Sequence, residues 1–288
     1  MTDSFDFLEE ITKRYGTIKR ARGCFLYTQS GERITDLWLD GGRAVLGWSA
    51  GTARMHFKNS IDRGFTGFCS SALPANLKRA LSSLCSGFAF FAFYTDSAKV
   101  TDALCSAGLK GAAPLYLPWV DYGFDLKAMP HSKIKKDAPF YTDESLKERK
   151  NLLQNADCVE IVLPFSWRPA TLLAFRNAEL QAKVPASDGI PAPLCEAFCR
   201  AIYDLRLEIP KRAAEDWAVF DKFCTPYWNR VGPYLCCKVS ESQYKDFFMH
   251  CLDQKLLIAP SFGQYSVVPF GANAGVFAGL KKNPFALC

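Results

Sequence analysis

The chain has only three histidines, His56, His131 and His250, far apart in sequence, and none of its twelve cysteines forms a C-x-x-C pair. Structural zinc sites need cysteine and histidine at short, regular spacings, so no metal site is expected. Long apolar runs are missing as well. The longest, Gly87 to Tyr94 (GFAFFAFY), is far too short to cross a bilayer, and the opening MTDSFDFLEE is acidic where a secretory signal is basic and then apolar. The chain shows no internal repeat and no long low-complexity linker. A one-sided charge is lacking too: 35 Lys and Arg stand against 29 Asp and Glu, and the excess is scattered. The densest basic run, Lys133, Lys135 and Lys136, has no interleaved aromatics, so neither nucleic acid nor a membrane is an expected partner. A soluble cytoplasmic protein is the expectation.

With 49% hydrophobic and 22% charged residues, the 288-residue chain can bury a substantial core. Its cysteines sit mostly inside apolar segments, as Cys85, Cys105, Cys199 and Cys251 do, which suits small buried hydrophobes kept reduced in a cytosol. Residues 4 to 15 carry Phe5, Leu8, Ile11 and Tyr15 at helical spacing behind Ser4. Alternating residues on either side of Gln29-Ser30-Gly31-Glu32 predict a hairpin. Leu84 to Tyr94 reads as a buried strand, followed by a helix that Asp96 or Ser97 caps and Gly108 ends. Strand-like runs recur at 113–125 and 157–165. Two helices separated near Pro210 are expected in 191–222. The end reads strand, helix, strand, strand, helix, an α+β unit with an antiparallel sheet.

This order of parts resembles the fold type I pyridoxal-phosphate transferases, class III aminotransferases in particular. The resemblance rests on the hairpin residues Leu26, Thr28, Gly31, Arg33, Asp36 and Leu37, and on the turn Gly41, Gly42, Ala44, Val45, Leu46 and Gly47. It implies a shortened α/β large domain with a mainly parallel sheet and a small α+β C-terminal domain. The expected boundaries are 1–55 for the N-terminal helix and hairpin packing with the small domain, 56–222 for the large domain and 223–288 for the small one. It also implies a homodimer.

The resemblance places a phosphate turn at Thr95, Asp96 and Ser97, and a ring-stacking aromatic at Trp119 or Tyr122. It places a Schiff-base lysine after the strand beginning at Asp157, near Ile161 to Leu163. No lysine lies between Lys150 and Lys183, and Tyr265 or Ser266 stands where a substrate-binding arginine is implied. The expectation is a non-catalytic dimeric binding or regulatory protein with no catalytic residue and no cofactor. Thr95, Ser97 and Tyr122 would be vestiges of cofactor binding. Arg43 and Trp48 beside the glycine-rich turn are the candidates for contacting a small anionic ligand. The alternative is an active transferase that holds pyridoxal phosphate through a displaced lysine, Lys183 or one of the 133–136 run. A further alternative makes Cys69 or Cys224 a thiol nucleophile.

Overall fold

In the computed structural model the described residues are 7–49, 51–66, 72–122, 151–212, 214–269 and 271–287. The chain divides into two compact units, Met1–Ala50 with Ala213–Cys288, and Gly51–Arg212. Among the described residues no helix is long and apolar enough to cross a membrane.

The first unit opens with helix α1 (Phe7–Tyr15), followed by strands β1 (Ile18–Arg22), β2 (Phe25–Thr28) and β3 (Arg33–Asp36). β2 and β3 form the predicted hairpin. Gly31 takes the left-handed φ of 87° that its turn requires, and the Thr28 amide donates to the Glu32 carbonyl at 3.0 Å.

The second unit carries helices α2 (Ala53–Asp62) and α3 (Leu73–Leu84), strand β4 (Phe90–Tyr94), helix α4 (Ser97–Ser106), strand β5 (Leu115–Tyr116) and helix α5 (Pro118–Asp121). Strands β6 (Cys158–Ile161) and β7 (Thr171–Phe175) and helix α6 (Ala192–Glu208) complete it. Leu194, Ala197, Phe198, Ala201, Ile202 and Leu205 recur at helical spacing on α6 and are all buried, and α6 packs against α2 and α3. The sheet order is β4-β7-β6-β5. Phe90, Tyr94, Leu173 and Phe175 fill its core with Ala103 of α4, and the rings of Phe90 and Phe175 stack at 4.7 Å.

The strand directions correct the mainly parallel expectation. Among the described residues of this sheet only β5 and β6 run parallel, while β7 is antiparallel to both β6 and β4. The cause is the short connection 162–170, which returns the chain directly beside β6; a parallel neighbour needs a crossover of a dozen or more residues. The strand expected over Leu84 to Tyr94 is also shorter, because α3 runs to Leu84. Past Glu208, a 3-10 turn at Ile209–Lys211 takes in Pro210, and two short helices follow at Ala214–Ala218 and Asp221–Cys224.

The C-terminal part of the first unit holds strands β8 (Trp228–Val231) and β9 (Tyr234–Cys237), helix α7 (Glu241–Asp253), and strands β10 (Leu256–Leu257) and β11 (Ser266–Val267). β11-β9-β8 make an antiparallel sheet, whereas β10 leaves it to pair in parallel with β3. Trp228, Phe247 and Phe277 are fully buried and meet as a ring cluster.

Candidate functional site

One buried carboxylate organises the glycine-rich turn that follows β3. Asp36 Oδ1 accepts from the Trp38 and Leu39 amides at 2.9 and 2.8 Å, and Oδ2 accepts from Trp48 Nε1 at 2.8 Å. Burial pushes the Asp36 carboxyl up to about 6, against the pull of these donors. Leu39 and Asp40 are held at positive φ, 49° and 55°, and Gly41, Gly42 and Gly47 continue the bend at 65°, 85° and 99°. Only glycine enters that region without steric cost. Arg43 Nη1 donates to the Asp40 carbonyl at 2.7 Å, and a Cβ on Gly41 would lie 3.2 Å from that same nitrogen. The glycines therefore let the chain curl closely around Arg43. Both residues singled out for ligand contact, Arg43 and Trp48, are hydrogen-bonded inside their own turn.

The second unit contains the strand-to-helix step where the phosphate turn was placed. Asp96 caps α4, its Oδ1 accepting from the Ala98 amide at 2.9 Å. The Thr95 amide and Thr95 Oγ1 both donate to Asp188 Oδ2, at 2.8 and 2.7 Å, and Lys99 Nζ donates to Asp188 Oδ1. Lys99 first, and then the two Thr95 donors, hold the Asp188 carboxyl well below the ordinary carboxylate range. Asp188 reaches this point because its segment lies along β4. Its amide donates to the Phe93 carbonyl at 2.7 Å, and the Phe93 amide donates to Ser187 Oγ at 2.9 Å. A cavity of about 410 Å³ adjoins the turn, lined by Thr95, Asp96, Ser97, Arg168 and Thr171 among others. Arg168 Nη2 donates to Thr171 Oγ1 at 2.9 Å.

A phosphate at a helix N-terminus needs N–H donors open to it. The Thr95 and Ala98 amides and the Thr95 hydroxyl are taken by two carboxylates of the chain itself, and the Lys99 ammonium is paired with one of them. Those same carboxylates would repel a phosphate dianion. The residues present do not fit the phosphate of pyridoxal phosphate.

The connection from β6 to β7, where a lysine is implied, carries apolar side chains from Val162 to Phe165 and at Trp167. Leu163 is buried, and the Phe165 ring lies 6.2 Å from Phe57 of α2 and 5.9 Å from Phe198 of α6, with Trp167 5.2 Å from Phe57. Tight turns place these rings: the Phe165 amide donates to the Leu163 carbonyl at 2.8 Å and the Trp167 amide to the Phe165 carbonyl at 2.7 Å. Exposed Lys183 accepts at its carbonyl from Ser106 Oγ at 3.3 Å, beside the C-terminal end of α4. The turn at Thr95 lies at the other end of that ten-residue helix, about 15 Å away. Lys133, Lys135, Lys136 and Cys69 lie outside the described residues.

Tyr122 Oη accepts from Arg206 Nε at 3.2 Å and is not among the residues lining the cavity that Thr95 and Ser97 share with Arg168. Ser266 is buried, with its Oγ accepting from the Ala259 amide at 2.9 Å. Arg230 is buried in a two-pronged pair with Asp221, at 2.5 and 2.8 Å. Burial pushes the Cys224 thiol up to about 12, which removes it as a ready nucleophile. Sequence reasoning missed Asp188 and Lys99. Nothing local marks Asp188, which meets its turn from 93 positions along the chain.

The chain matches no family model. It is 29% identical to an uncharacterized protein of Treponema pallidum, over 90% of this chain and 91% of that one, and 26% identical to an uncharacterized protein of Borreliella burgdorferi, over 94% and 90%. Among solved structures it is similar to an omega-transaminase from Sphaerobacter thermophilus, with TM-score 0.60 and 11% identity over 92% of this chain and 90% of that one. Acetylornithine aminotransferase from Elizabethkingia anophelis gives TM-score 0.57 and 13% identity over 96% and 97%. Ornithine delta-aminotransferase of Plasmodium falciparum gives 0.56 and 13% over 96% and 95%.

Proposed function

Because the fold is that of the pyridoxal-phosphate transferases, of class III aminotransferase type, we propose that this chain is a shortened relative that has lost coenzyme chemistry and works as a dimeric binding or regulatory protein in the cytoplasm. The observation that carries the reading is the β6–β7 connection. A ring cluster and buried Leu163 occupy it, and the sequence offers no lysine from 151 to 182. Without a primary amine there, the coenzyme aldehyde has no covalent anchor. The closed turn supports the same reading independently, since Asp188 and Asp96 hold the donors that a phosphate would need. In this reading Thr95 and Ser97 are remnants of a phosphate turn, Tyr122 is a remnant of a ring platform, and Arg43 and Trp48 brace the glycine-rich turn. The described cysteines are all free and most are buried, which supports a reducing compartment.

Titration of purified protein with pyridoxal phosphate tests this. The expected result is no new absorbance band beyond free coenzyme and no lysine fixed by borohydride in peptide mapping. A band that borohydride fixes onto one lysine, whether Lys183, Lys99 or one of the 133–136 run, overturns the reading in favour of a working transferase with a displaced amine.

A further inference from the structure

A second cavity, of about 770 Å³, opens between α2, α3 and α6, well away in sequence from the turn at Thr95. Three helices each bring it one guanidinium region: Arg63 just past the end of α2, Arg79 on α3 and Arg200 on α6. Each is held by a partner before any ligand arrives. Arg200 Nη2 pairs with Asp204 Oδ1 at 2.8 Å and its Nε donates to Thr52 Oγ1 at 2.5 Å. That brace is itself fixed, because the Thr52 amide donates to Asp204 Oδ2 at 2.9 Å and a Cβ on Gly51 would fall 2.7 Å from the same oxygen. Arg63 pairs with Glu196 Oε2, and His56 Nδ1 lies 3.4 Å from Glu196 Oε1. Arg79 donates to the neutral Asn76 Oδ1 and, among the described residues, has no carboxylate partner.

Three arginines stand against the two carboxylates of Glu196 and Asp204, an excess of 3 − 2 = 1 positive charge among these groups. Its walls are also partly apolar. The Phe65 ring lies under Arg63, 5.2 Å from the guanidinium carbon, and Tyr203 is 40% exposed at the rim. The volume suits a small molecule. Guanidinium groups oriented in advance favour a planar or tetrahedral anion, since less ordering remains to be done on binding.

We infer that this cleft binds a small anion carrying an aromatic group, with Arg79 as its principal charge contact and Phe65 and Tyr203 flanking the ring. The site is separate from the turn at Thr95 and holds whether or not the chain is catalytic. Calorimetric titration with phenyl phosphate tests it, with benzoate, inorganic phosphate and benzyl alcohol as further arms. Phenyl phosphate has no aldehyde, so this result and the coenzyme titration can fail independently. Saturable binding of phenyl phosphate or benzoate is expected, tighter than that of inorganic phosphate or benzyl alcohol, and the tighter of the two identifies the anionic group. Arg79→Gln should weaken it about tenfold, the loss of one charge-assisted contact, with an unchanged melting temperature because the side chain is exposed. Tyr203→Ala should weaken the aromatic anions while leaving inorganic phosphate as it was. No saturable binding by either aromatic anion at millimolar concentration, or wild-type affinity in Arg79→Gln, overturns the inference.

Discussion

Asp36 shows how one side chain can set both a turn and a pH response. A buried carboxyl whose pKa is raised from 3.8 to about 6 favours its protonated form in the folded chain. The stability it contributes is complete below about 4 and lost as pH rises through about 6. Wild type should therefore gain on Asp36→Asn as pH falls from 7 to 4, by up to about 3 kcal/mol for a shift of about two pKa units. Melting curves of the two proteins across that range check the sign. The variant is expected to be weaker in absolute terms, since an amide that accepts from the Trp38 and Leu39 amides turns its own N–H toward the Trp48 indole N–H.

At the scale of elements, β4 is completed by a segment that is not a strand. Residues 185–188 take the Tyr94 hydroxyl, both Phe93 backbone groups and the Thr95 amide, so Asp188 also tethers the open side of β4. Asp188→Ala should speed hydrogen exchange at the Phe93 and Thr95 amides while the β4–β7 amides stay protected; exchange measured by mass spectrometry or NMR decides this. Unchanged exchange would mean that the segment holds without its carboxylate. The parts legible in the sequence are those whose determinants are local. The hairpin around Gly31 and the α4 start at Asp96 follow from neighbouring residues. Strand direction in the second unit was not legible, because pairing depends on how the 162–170 connection folds back against Phe57 and Phe198. The helices α2 and α3 went unread, although Leu77, Ala80, Leu81 and Leu84 keep a helical period. Asp188 and the arginine cleft were illegible for the same reason as strand direction: their members come together only across large sequence separations.

For the whole molecule, the proposed dimer predicts a sedimentation-equilibrium mass of twice the 32.1 kDa chain, and a single-chain mass at micromolar concentration would remove the dimer from the reading. The carboxylate of Asp188 in the Thr95 turn has a broader consequence. In the proposed reading, the place that a coenzyme phosphate would fill is taken by a counter-ion this polypeptide carries on the same chain. Its maturation should then be indifferent to diet: cells starved of pyridoxine ought to yield as much of it, equally heat-tolerant, as cells supplied with the vitamin.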